Sequence, residues 1–107
     1  MVGELTPREF KERRERGEAM VLVDVREHWE IALAPVPTEH RHIPMGEVPG
    51  RLGELDGGAH VVVICRSGGR SMQVARFLEQ RGFKSVSNLA GGILAWSREL
   101  DPTIPQY

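Results

Sequence analysis

Cys65 is the only cysteine in a chain of 107 residues, and it stands where an apolar run, HVVVI, gives way to the loop CRSGGRS. A strand that feeds a glycine-rich loop and then a helix gathers backbone N–H groups around one point, which makes an anion cradle. Arg66 and Arg70 add two guanidinium charges within the same few residues. Cradle and charge both favour thiolate over thiol, so the spacing predicts a nucleophile active near neutral pH at Cys65. The arginines are expected to bind an anionic substrate. Ser67 and Ser71 are placed to donate hydroxyl hydrogen bonds or to cap the helix. Gly68 and Gly69 allow positive φ and close approach of the backbone to a bound group. The competing reading is a small buried cysteine in an ordinary strand-to-helix turn; two arginines flanking the thiol weigh against it. A lone cysteine also rules out an internal disulfide, a CxxC redox pair and a zinc site built on two or more thiolates.

The elements that must position this loop follow from the patterning around it. MVLVDV at 20–25 and HVVVIC at 60–65 are short, continuous, β-rich runs of the kind found in strands covered on both faces. SMQVARFLEQR after the loop carries Met72, Ala75 and Leu78, with Val74 and Phe77 alongside, at helical spacing, and Gly82 ends it. SVSNL at 85–89 reads as a further strand, and ILAWSREL after Gly91-Gly92 as a last helix before the Pro-rich tail DPTIPQY. Near the start, Thr6, Pro7 and Glu9 form a helix-start signature, with Leu5 placed to staple against Phe10, so a surface helix is expected over about 7–16, ended by Gly17. HWEIALA reads as a short helix. Between Ala34 and Gly58 four prolines break the pattern, leaving a structured loop with one helical hint at GRLGELD. Alternation of strand and helix implies parallel strands joined by right-handed crossovers, with ligands bound at the carboxyl ends of the strands. Cys65 lies at such an end. The expected fold is α/β, a three-layer domain with a central parallel sheet flanked by helices.

Composition narrows the function classes. The length predicts one domain over residues 1–107. A formal net charge of -1 leaves no basic excess for phosphate neutralisation, so nucleic acid is not an expected partner. No stretch has the apolar length of a membrane span, and the basic, apolar-poor start MVGELTPREFKERRERGE does not read as a leader, so a cytoplasmic setting is expected. His40 and His42, beside Glu39 in the Pro-rich stretch, read as solvated or structural rather than metal-ligating. His28 and His60 have no evident partner. Trp29 and Trp96 read as core or rim aromatics.

Three motifs in order resemble one family. CRSGGRS after VVVI, DVRE at 24–27 followed by Trp29-Glu30, and NLAGGILAW at 88–96 are similar to the signatures of rhodanese-like sulfurtransferases, and the resemblance spans about 21–96, leaving 101–107 as a tail. Val36-Pro37 or HRHIP at 40–44 stands where the family carries a further His-Ile-Pro signature. Dual-specificity phosphatases that share the fold have a loop longer by one residue between cysteine and arginine, and need a general acid that this loop lacks. The resemblance implies attack by Cys65 on the outer sulfur of a thiosulfate-like donor, a cysteine persulfide held by loop N–H groups, and transfer to a thiol, cyanide or protein acceptor. It implies no metal and no organic cofactor. Asp24 and Arg26 would then support the loop rather than react. A persulfide relay module serving a dedicated partner, with poor thiosulfate turnover, is the alternative that the same motifs allow.

Overall fold

Side chains along a strand alternate between faces, and the run VVVIC divides accordingly: Val61, Val63 and Cys65 pack in one core cluster, Val62 and Ile64 in another. Both clusters are buried and apolar, which is why the run carries no polar face. The computed structural model describes residues 1–107 and shows a five-stranded sheet between two helical layers. The strands are β1 (Gly3–Leu5), β2 (Met20–Asp24), β3 (Arg41–His42), β4 (His60–Ile64) and β5 (Ser85–Leu89), and every pairing is parallel. Their spatial order is β1-β5-β4-β2-β3, so β4 is central, with β2 on one side and β5 on the other. The helices are α1 (Pro7–Glu15), α2 (His28–Leu33), α3 (Gly69–Gln80) and α4 (Gly92–Glu99). One layer packs Val74, Ala75 and Leu78 of α3 against Val23, Val61, Val63 and Val86. The other packs Phe10 of α1 and Ile93 and Trp96 of α4 against Leu22, Val62, Ile64 and Leu89. The three-layer α/β architecture expected from the alternation is the one observed. None of these helices is long and apolar enough to cross a membrane.

Local signals act where the sequence places them. Thr6 Oγ1 accepts from the Glu9 N–H at 3.1 Å, and the Glu9 carboxylate accepts from the Thr6 N–H at 2.8 Å, a reciprocal cap on α1. Leu5 and Phe10 share one cluster. Two strands escape the sequence reading. β1 has three residues and borders β5, and β3 has two and borders β2; both are edge strands too short for period-two patterning to register. The stretch expected as a loop between 34 and 58 holds β3 and two 3-10 segments, Met45–Glu47 and Pro49–Glu54. Its prolines break α-helical pairing but are compatible with the shorter turns of a 3-10 helix.

This topology brings three carboxyl ends together. Asp24 pairs in register with Ile64, and Val63 with Asn88, so β2, β4 and β5 stop at nearly one level. Arg26, Cys65 and Gly91-Gly92 follow directly.

Candidate active site

Cys65 follows β4 with its side chain on the α3 face and is 1 % exposed. Its sulfur receives the N–H of Gly68 at 3.1 Å and the N–H of Ser71 at 3.4 Å. Gly68 caps α3 with φ 111°, a left-handed conformation that turns the loop and that side chains other than glycine rarely adopt. Both amides converge on the one sulfur atom. Ser71, fully buried, stands 3.2 Å from the sulfur through its hydroxyl, which donates to Asn88 Oδ1 at 2.5 Å. With that proton directed at Asn88, the hydroxyl oxygen accepts from the thiol S–H. Rotation of the same hydroxyl toward an ionised sulfur would supply a third donor. Asn88 is oriented by Nδ2, which donates to Glu4 Oε1 at 3.0 Å and to the Gly68 carbonyl at 3.3 Å.

The carbonyl side of the loop is held by α4. Ile93 N–H donates to the Cys65 carbonyl at 2.9 Å and Leu94 N–H to the Arg66 carbonyl at 3.1 Å, so the free amides at the start of α4 find their partners in the Cys65 loop. This contact requires Gly92. Its φ is 60°, and a Cβ there would lie 2.4 Å from the carbonyl oxygens of both Cys65 and Arg66. Gly92→Ala is therefore expected to cost at least about 1–2 kcal/mol from backbone conformation alone. It should also shift the loop, so that activity falls further than stability; thermal melts beside turnover rates check this.

Arg26 and Asp24, both fully buried, form the base of the site. Arg26 Nε donates to Asp24 Oδ1 at 3.0 Å, and one terminal nitrogen donates to Asp24 Oδ2 and to the Ala34 carbonyl, each at 2.8 Å. The other terminal nitrogen donates to the Tyr107 hydroxyl at 2.9 Å. His42 Nε2 lies 2.6 Å from the Arg26 carbonyl and so must donate to it. Asp24 and Arg26 thus tie the end of β2 to α2 and to the tail, away from direct contact with sulfur.

The loop arginines are less free than the sequence implies. Arg70 places both terminal nitrogens on Glu30, each at 2.7 Å, a bidentate ion pair. Glu30, 2 % exposed, also accepts from the Glu27 N–H and the Tyr107 hydroxyl, each at 2.9 Å. The Arg70 hydrogen bonds, with smaller help from Glu27 and Tyr107, hold the Glu30 carboxyl at about 2 against the opposing effect of burial. A carboxyl lowered in the folded state stabilises the fold above its ordinary value of 4.5, and that contribution is lost as pH falls toward 2. The stability advantage of wild type over Glu30→Gln is accordingly expected to be full at neutral pH and to shrink steadily below about 4.5; denaturant titrations at stepped pH measure it. Arg66 stacks its guanidinium 5.3 Å from the Tyr107 ring centroid and donates through Nε to the Tyr107 carbonyl. Ser67 is exposed and Gly69 begins α3.

The Rhodanese-like domain family matches residues 6–99. The chain belongs to the rhodanese-like family. It is 42% identical over 101 residues to the putative sulfurtransferase YtwF of Bacillus subtilis, covering 94% of this chain and 96% of that protein. It is 38% identical over 104 residues to a sulfurtransferase of Allochromatium vinosum, covering 97% and 96%. The crystal structure of a rhodanese-like domain protein from Staphylococcus aureus superposes with a TM-score of 0.81 at 29% identity, covering 89% of this chain and 91% of that one.

Within this rhodanese-like site the loop residues expected from sequence lie around Cys65, while four contributors escaped the reading. Glu30 belongs to a quoted signature, but nothing in one dimension pairs it with Arg70, 40 residues on. Asn88 lies in NLAGG, where its link to Ser71 depends on strand register. Glu4 is on an unrecognised edge strand. Tyr107, 81 residues from Arg26, carried no signal at all.

Proposed function

We propose that this rhodanese-like protein is a sulfurtransferase that carries sulfane sulfur as a persulfide on Cys65. The observation that carries the reading is the pair of amides, Gly68 and Ser71, directed at one buried sulfur at the mouth of an arginine-bearing loop. The Cys65 thiolate attacks the outer sulfur of a donor such as thiosulfate. The donor S–S bond breaks, sulfite leaves with the bonding pair, and a new S–S bond joins the transferred sulfur to Cys65. The amides of Gly68, Gly69 and Ser71 and the Ser71 hydroxyl hold the persulfide, with Ser67 at the exposed edge of the loop. Arg66 and Arg70 meet the anionic end of the donor, Arg70 while paired with Glu30, and Asp24 and Arg26 keep the loop in place. An acceptor thiolate, cyanide or the thiol of a partner protein then attacks the outer sulfur and returns Cys65 to thiolate. The chain's own residues account for each step. A reactive lone thiol stays reduced in the cytoplasm, where the proposal places the protein.

Two half-reactions sharing one covalent intermediate give ping-pong kinetics. Initial rates with thiosulfate and a thiol or cyanide acceptor are expected to give parallel double-reciprocal lines. Intersecting lines would refute the covalent route.

One feature favours a second reading, persulfide relay to a dedicated protein with poor thiosulfate turnover: Cys65 is covered and Arg70 is engaged by Glu30. Rapid loading of Cys65 with slow release to small acceptors would select it.

A further inference from the structure

The solvent side of the loop opens into a cavity of about 430 Å³ lined by Glu27, Trp29, Glu30, Arg66, Arg70 and Tyr107. Two guanidinium groups face two acidic side chains there, so the lining side chains carry no net formal charge. The balance is uneven in detail. Arg70 is paired bidentately with Glu30, which neutralises its charge, and Glu30 is fixed in turn by the Glu27 amide and the Tyr107 hydroxyl. Arg66, stacked on Tyr107 and bonded to its main-chain oxygen, has no acidic side chain as partner. Trp29 and Tyr107 supply the aromatic part of the lining. Trp29 is 61% exposed, unusual for an indole, and meets the Tyr107 ring edge-on with centroids 6.0 Å apart.

A small dianion such as thiosulfate finds little here. It must share Arg70 with a bidentate carboxylate that already neutralises it, approach that fixed carboxylate, and leave the aromatic wall uncovered. A donor with one charge or none meets less repulsion, and an alkyl or aryl group on it would cover Trp29 and Tyr107. We propose that Glu30 is a specificity-determining residue, turning the site from small dianionic donors toward sulfane donors of lower charge that carry an apolar group. This rests on the sulfur-transfer reading and names its donor class. An organic thiosulfonate illustrates the chemistry. The Cys65 thiolate attacks its terminal sulfur, the S–S bond breaks, and the sulfinate departs with the electron pair, leaving persulfide on Cys65 with total charge conserved.

The test compares thiosulfate with benzenethiosulfonate on the full chain, dividing each kcat/KM by that donor's rate with free cysteine to remove intrinsic reactivity. Wild type is expected to favour benzenethiosulfonate by about tenfold or more, the range that one missing or repelling contact commands. Glu30→Gln, which frees part of the Arg70 fork, should raise kcat/KM for thiosulfate, chiefly through KM, and collapse the ratio. Trp29→Ala, a change at an exposed position, should lower the ratio from the other side by raising KM for benzenethiosulfonate. It tests the aromatic wall independently of Glu30. A normalised ratio near one in wild type, or a ratio unmoved in the folded variants while Cys65 still loads with sulfur, overturns the role of Glu30 and leaves sulfur transfer standing. Failure of both donors to load wild-type Cys65 overturns the sulfur-transfer reading itself.

Discussion

Cys65→Ser is expected to remove all measurable sulfur transfer while the protein stays folded. Serine is smaller by part of one atom's radius, and its hydroxyl would face the Gly68 and Ser71 amides and the Ser71 hydroxyl that now surround the sulfur. The buried polar atom would therefore keep partners, and the fold should lose little. Chemistry has no such substitute. A serine alkoxide is not accessible without a general base, none is positioned here, and oxygen does not carry sulfane sulfur. Where a covalent nucleophile is removed from a working site, rates fall on the order of 10⁶, so the variant should be indistinguishable from the uncatalysed reaction. Turnover by Cys65→Ser with a wild-type melting curve would show that another group carries the sulfur.

Asp24→Ala should produce the largest loss of stability. Arg26 is fully buried, and Asp24 accepts from its Nε and from a terminal nitrogen as well as from the Arg26 main-chain N–H at 3.0 Å. Removing the carboxylate leaves a guanidinium that cannot shed its proton in a dry site. Breaking a buried pair from one side costs about 3–5 kcal/mol, a large share of the total stability of a small domain. Asp24→Asn keeps one acceptor and the shape, and should cost visibly less. The damage should reach the active site as well, because Arg26 also holds the Ala34 carbonyl and the Tyr107 hydroxyl. Urea titrations of the two variants measure the difference; equal and small losses would mean that the pair adds nothing to the fold.

Much of this architecture was legible in the sequence because its central elements are extreme. VVVI and MVLVD are buried on both faces, and no loop or amphipathic helix carries such runs. The order of strands and helices then followed, as did the placement of Cys65 at a strand end. β1 and β3 were not legible, since three and two residues at a sheet edge have no periodicity of their own. The site divides on similar lines. The amide cradle depends on residues adjacent in sequence and was read from CRSGGRS. The restraint on Arg70 depends on Glu30 and Tyr107, which approach it only through the packing of α2 and the tail. Long-range polar pairing has no signature in one dimension; local hydrogen bonding does.

The carbonyl clamp from α4 shows the same division. NLAGG reads as a turn before a helix, which it is, but the reason for its second glycine lies across the molecule in the main chain of Cys65 and Arg66. The sequence pattern marks the place, and the close approach explains it.

The central claim, that Cys65 carries the sulfur, is tested most directly by intact-mass measurement of reduced protein before and after donor, using thiosulfate and benzenethiosulfonate in parallel and Cys65→Ser as control. The account predicts a gain of one sulfur atom on wild type, none on the variant, and loss of the added mass on exposure to cyanide or a thiol. No gain from either donor, or an equal gain on Cys65→Ser, would contradict it.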